Sequence, residues 1–215
     1  MRRHRQTFGL TLVEMMVVIA VIALLLSLAI TALRRIENSA KEELAAGTIA
    51  TLAAACEQFS DYGYRYPNPA YADFDFPLDC DGFPAEQIEV VLEGALELAP
   101  ESVSITLNDP NDSGCTMLYY FLSRVPACKV TLGEIDASLV TGIDKNGTQI
   151  QIDIGGRVEP LLRVVDPWGT TLWYDYYDED CNDFDEMKES RKTFPVLTSA
   201  GRDKEFRTAD DITSR

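Results

Sequence analysis

Gly9-Leu10-Thr11-Leu12-Val13-Glu14 opens an apolar run that continues to Leu33, and the rest of the fold follows from it. From Leu10 to Leu33 only Thr11, Glu14, Ser27 and Thr31 interrupt Leu, Ile, Val, Ala and Met, and the run holds no Pro or Gly. As a helix, about 24 residues at about 1.5 Å each reach roughly 36 Å, enough to cross a hydrocarbon layer of about 30 Å with some tilt. Glu14 is the anomaly. An ionised carboxylate inside such a segment costs on the order of a few kcal/mol unless it is paired or protonated, which marks it as a functional residue.

Arg2, Arg3, His4 and Arg5 precede the run, as they would in a secretory signal or a plain anchor. A cleaved secretory signal has a shorter apolar core followed by a small-x-small site, and Leu28-Ala29-Ile30-Thr31-Ala32 offers only weak candidates. A plain anchor gives no reason for a carboxylate five residues into the segment. Cleavage between Gly9 and Leu10, on the near side of the membrane, explains both facts and leaves the apolar helix on the mature chain.

The stretch Gly9 to Glu14 resembles the class III leader junction of type IV pilins and type II secretion pseudopilins, usually Gly-Phe-Thr-Leu-x-Glu, with Leu10 in place of Phe. The resemblance implies that a prepilin peptidase cleaves after Gly9 and N-methylates Leu10. Glu14 then pairs with the N-terminal amine of a neighbouring subunit during filament assembly. The physics is consistent with that role: opposite charges attract strongly in a low-dielectric bundle, whereas either alone is costly there.

Composition narrows the function further. Beyond leader and anchor, most of the 215 residues remain for one exported domain, enough to bury a core. Net charge is −16, and loss of Arg2, Arg3 and Arg5 takes it to −19, which argues against nucleic-acid binding and suits bound cations. The single histidine, His4, lies in the leader, so the mature chain has no Ser-His-Asp or Cys-His catalysis and no His-ligated metal. Cys56, Cys80, Cys115, Cys128 and Cys181 show no C-x-x-C spacing. Their pairing is open, with Cys115 and Cys128 the favoured pair because they bracket one short segment.

The helix is expected to run past the membrane to Tyr62, with an apolar stripe at Ile36, Ala40, Leu44, Ile49, Leu52, Ala55, Cys56 and Phe59. Gly47 is its soft point, and Gly63 followed by Pro67 ends it. This end also resembles the Asn-Gly-x-Tyr-Pro turn of G-type pseudopilins. Asn68 to Phe83 reads as a loop, Ala85 to Leu98 as a helix, and Val103 to Leu107 as a strand. Asn108 to Gly114 reads as a turn, whereas Leu118 to Leu122 fits either a buried strand or a helical turn. No internal repeat stands out. Ile150, Ile152 and Ile154 alternate, Gly155-Gly156 turns, and Val158 to Val165 continues as antiparallel strands.

Asp166-Pro167-Trp168-Gly169 suits a type I turn, with Trp168 placed to anchor on the helix. With Tyr174 it resembles the Asp-Pro-Trp-Gly-x-x-x-x-Tyr segment of G-type pseudopilins. Asp175, Asp178, Glu179, Asp180, Asp183, Asp185 and Glu186 read as a solvated acidic loop, with cation binding as the alternative. Calcium needs six to eight oxygens, and Asp203, Asp210, Asp211 and the carbonyls near Leu197 and Ser199 are candidates around a loop that Gly201 lets curl. That stretch resembles the Ser-x-Gly-x-Asp to Asp-Ile calcium loop of G-type pseudopilins, shorter here and without its usual glycines.

The expected organisation is a leader at 1–9, a transmembrane helix at 10–33, and a periplasmic half-helix with its closing turn at 34–66. A variable insertion at 67–147 and an antiparallel sheet with the calcium loop at 148–215 complete the α+β, pilin-like chain. By resemblance it is a non-enzymatic subunit of a type II secretion pseudopilus. Its partners would be further copies of itself, minor pseudopilins, the prepilin peptidase and an inner-membrane assembly platform, with the head in the periplasm. A type IV pilin is the nearest alternative. A membrane-tethered hydrolase using paired carboxylates is a more distant one, opposed by the small domain and the lack of a nucleophile motif.

Overall fold

The long helix forms as the sequence dictates. In the computed structural model, which describes residues 12–80, 82–107, 109, 112–144, 146–177 and 184–214, α1 is one helix of 51 residues, Leu12–Tyr62. It ends where expected: Gly63 adopts φ +65°, a left-handed conformation that costs glycine little, and its amide bonds the Ser60 carbonyl at 2.9 Å. Two compact units divide the chain, Met1–Ala40 and Lys41–Arg215.

In the first unit the apolar side chains of α1 are exposed, and the window of highest hydropathy has none of its residues buried. Ser27 and Thr31 turn their hydroxyls back on to the Leu24 and Leu28 carbonyls, which spares apolar surroundings an unpaired donor.

In the second unit, α1 buries Ala45, Thr48, Ile49, Leu52, Ala55, Cys56 and Phe59, a spacing of three and four that makes one face of the helix. Ile36 and Leu44 fall outside this face, at 68 % and 40 % exposed, so the core-facing stripe begins at Ala45 and not at Ile36. The face belongs to one hydrophobic core with buried residues of α2 (Ala85–Ala95), α3 (Ser113–Leu122), α4 (Pro126–Leu132) and three small antiparallel sheets. In strand order these are β1 (Val103–Thr106), β3 (Gln151–Ile154) and β4 (Arg157–Pro160); β2 (Val140–Thr141) and β5 (Arg163–Val164); and β6 (Trp173–Asp175), β7 (Val196–Ser199) and β8 (Ile212–Thr213). The antiparallel sheet expected over 148–215 is thus divided into short pieces, and it takes in Val103–Thr106 from the supposed insertion.

The segment that reads as a loop, Asn68 to Phe83, runs largely through the core: Phe74, Phe76, Leu78, Asp79 and Cys80 are all buried. Buried backbone outside regular structure needs side-chain partners, and aromatic hydroxyls supply them. Tyr66 donates to the Phe76 carbonyl at 3.2 Å, Tyr174 donates to the Pro77 carbonyl at 2.8 Å, and the Asp79 carboxylate accepts the Tyr176 amide at 2.8 Å. Edge-to-face contacts between Tyr66 and Phe121, Phe74 and Tyr177, and Phe76 and Tyr176 complete the packing.

Three further differences have local causes. Leu118 to Leu122 belongs to α3, a helix too short and too fully buried to show amphipathic periodicity. Phe184–Ser190 forms α5 inside the acidic stretch, while residues 178–183, including Cys181, lie outside the described residues. Cys115 and Cys128 are not joined. The Cys115 sulfur meets the Val164 amide at 3.4 Å, the Cys128 thiol lies 3.3 Å from the Ala55 carbonyl, and neither is in a disulfide with the other. Burial, with Cys128 and Cys115 nearby, holds the Cys56 thiol well above its ordinary range.

Candidate functional site: the helix start and the tail loop

Of the processing residues expected from the sequence, Gly9 and Leu10 lie outside the described residues. Glu14 lies in the first described turn of α1. It is exposed, on the apolar length of the helix. Among the described residues, α1 is the one helix long and apolar enough to cross a membrane.

The expected calcium residues come together around a single joint. Asp166, only 2 % exposed, accepts the Trp168 and Thr170 amides on Oδ1 at 3.0 and 2.8 Å and the Ser199 hydroxyl on Oδ2 at 2.8 Å. The Ser199 oxygen accepts the Gly201 amide at 3.2 Å, which passes the order of the Asp-Pro-Trp-Gly turn on to the tail loop. Gly201 sits at φ +68°, and a Cβ there would collide with the Asp210 carbonyl, so both backbone shape and space exclude a side chain. Trp168 is half-buried and lies outside the hydrophobic core, so it does not act as the expected anchor on α1. Trp173 takes an anchoring role at the loop instead, meeting Phe206 edge to face at 5.3 Å and carrying the Arg207 guanidinium at 5.2 Å from its ring centre.

Within the loop the carboxylates serve its own backbone. Asp210 Oδ2 accepts the Arg202 and Asp203 amides at 2.8 and 3.1 Å, and Oδ1 accepts the Thr208 hydroxyl at 2.8 Å. Asp211 Oδ2 accepts the Arg207 amide at 2.7 Å, and Asp203 Oδ1 accepts the Glu205 amide at 2.9 Å. The Thr208 hydroxyl and the Asp203 amide hold the Asp210 carboxyl down at about 2. The Leu197 carbonyl accepts the Ser214 amide at 2.9 Å. Hard oxygens suit calcium in kind, and among the described residues no three His, Cys, Asp or Glu side chains converge, so a cation here would be held by two carboxylates at most together with backbone carbonyls. Arg202, Lys204 and Arg207 also interleave the acids.

The turn that organises this joint occurs twice, which the reading of the sequence missed. Asp144 accepts the Asn146 and Thr148 amides on Oδ1 and bonds Thr148 and Gly147 through its backbone; Asp166 repeats every one of these bonds with Trp168, Thr170 and Gly169. The signal in the sequence is Asp-x-x-Gly-Thr, present at Asp144–Thr148 and again at Asp166–Thr170.

Residues 4–30 match the prokaryotic N-terminal methylation motif, a feature typical of type IV pilin-like proteins. This is a pilin-like amino terminus. Such a motif is typical of structural subunits, not enzymes, that a prepilin peptidase processes and that assemble into filaments. The motif and the long apolar helix together describe a membrane-anchored, pilin-like protein with an α+β head. No curated protein and no solved structure matches the chain.

Proposed function

We propose that this pilin-like chain is a subunit of the periplasmic pseudopilus of a type II secretion system. It would be anchored by one pass through the inner membrane, with its head in the periplasm. The carrying observation is the match at residues 4–30 on a helix that continues unbroken into the head. The peptidase would cut after Gly9 and methylate Leu10. Glu14, fifth residue of the processed chain, would meet the new amine of the next subunit, each charge offsetting the cost of the other in lipid. Helix packing would then build a filament from an inner-membrane platform, with minor pseudopilins at its tip. The two resemblances in the head, the Asp166 turn and the tail loop from Ser199 to Ile212, support the pseudopilus over a surface pilus.

Deletion of the chain tests this reading. Loss of exoprotein secretion with surface fibres intact is the expected result; loss of surface fibres with secretion intact would assign the chain to a type IV pilus.

A further inference from the structure

A cleft of about 640 Å³ opens on the head between α3, α4 and β4, away from the tail loop. Its floor is apolar, from Leu132, Leu161 and Leu162, and its rim carries Arg124 and Lys129. Arg124 is held in place: its guanidinium lies 4.3 Å from the Tyr120 ring centre, donates to the Tyr120 hydroxyl and approaches Glu159 at 3.4 Å. Arg157 reaches the same carboxylate at 2.9 Å, so two guanidiniums share one acid and, with Lys129, give the cleft a basic edge on a chain whose net charge is −16.

The opposite pattern lies on α1. Between Glu42 and Tyr64 the chain carries Glu42, Glu43, Glu57 and Asp61 and no Lys or Arg. Glu43, Glu57 and Asp61 fall on one helical face, separated by Ala46, Gly47, Ala50 and Ala54, and the three acids are exposed. The face is therefore acidic and smooth, without side-chain bulk to keep another surface away.

We propose that the cleft docks this acidic face of a second copy of the chain. The inference rests on the filament reading, and the physical need comes from that reading too. Processed copies at −19 repel one another, and a contact between them is favourable only where local charges are complementary. Arg124 and Lys129 would meet Glu43, Glu57 and Asp61, and the apolar floor would cover the alanines between them.

The test uses the full chain expressed with a prepilin peptidase and its assembly machinery, and it reads the sedimentable filament fraction. Arg124→Glu with Lys129→Glu should lower that fraction at least about tenfold, and so should the triple change Glu43→Lys, Glu57→Lys, Asp61→Lys. Combining the two sets should restore it to within about threefold of the unaltered chain. Neutral Arg124→Gln with Lys129→Gln should give an intermediate loss, and melting curves of the full chain establish that each variant is folded. Normal assembly by either reversed set overturns the docking, as does failure of the combined, folded variant to recover. An unaltered chain that forms no filament overturns instead the filament reading beneath it.

Discussion

Replacing Asp166 with alanine cuts the joint between the Asp-Pro-Trp-Gly turn and the tail loop. The carboxylate receives two amides and one hydroxyl at 2.8 to 3.0 Å while almost fully buried. Alanine leaves those three donors without that partner, and an unsatisfied buried group costs about 1–3 kcal/mol. The two amides are only partly buried, which places the sum near the low end, about 3–5 kcal/mol, a large fraction of the roughly 5–15 kcal/mol that holds a domain folded. Asparagine keeps an acceptor for the Trp168 and Thr170 amides, and its amide nitrogen can donate to a Ser199 hydroxyl that rotates to accept, so Asp166→Asn should cost only about 1 kcal/mol. Guanidinium unfolding of the full chain in detergent, followed by tryptophan fluorescence, measures this directly. Both tryptophans, Trp168 and Trp173, flank the joint, and the helix carries none. Ser199→Ala should cost less in the Asp166→Ala background than alone, because the two share one bond. An Asp166→Ala loss below about 0.5 kcal/mol, or an asparagine variant as damaged as the alanine one, would show that this carboxylate does not hold the joint.

Glu93 accepts the Ser102 and Val103 amides at 2.8 and 3.2 Å, and with Glu89 on the Ile105 amide it occupies β1 backbone donors from α2; Glu93→Ala should cost about 2 kcal/mol in the same unfolding assay. A Cβ at Gly47, on the outer side of α1, would meet no atom within 4 Å, so Gly47→Ala should raise stability by about 1 kcal/mol, seen as a melting shift of about 2–4 °C. Calcium or a chelator should leave the head's melting temperature unchanged, because the tail loop is closed by its own amides; a calcium-bound state at a hundredfold excess over its dissociation constant would instead gain about 2.7 kcal/mol and restore the calcium cage expected by resemblance. Asp210 is held at about 2, so its contribution is present above the ordinary carboxylate range and lost as pH falls through about 2; Asp210→Asn should make the fall in melting temperature below the ordinary carboxylate range shallower, with Asp73 and Asp136 carrying part of what remains.

What the sequence reveals follows the range of the interactions involved. α1, its end at Gly63, and the Gly155-Gly156 hairpin are set by local residue chemistry and by periodicity, and each lies where the sequence puts it. The Asp166 turn is legible for the same reason. Buried Phe74, Phe76 and Asp79 are hidden because a Pro- and Asp-rich stretch looks solvated until the distant hydroxyls of Tyr66 and Tyr174 and the Tyr176 amide are placed beside it. α3 is hidden by being buried on nearly every side, which erases amphipathic contrast. The tail-loop acids stand out as a cluster in sequence, but hydrogen-bond direction decides whether carboxylates face a cation or an amide, and composition does not carry that information. The matching Asp144 and Asp166 turns escape notice because five residues with two variable positions are too short to register as a repeat.

Everything proposed for the filament depends on removal of the leader on the cytoplasmic side of the apolar helix, so that the exposed amine is there for Glu14 to meet. Intact-mass and N-terminal sequence analysis of the chain purified from its native membrane reads this without intermediaries. A chain beginning at N-methylated Leu10 is the expected result; a chain that still begins at Met1, or one cut beyond the apolar run, would contradict it.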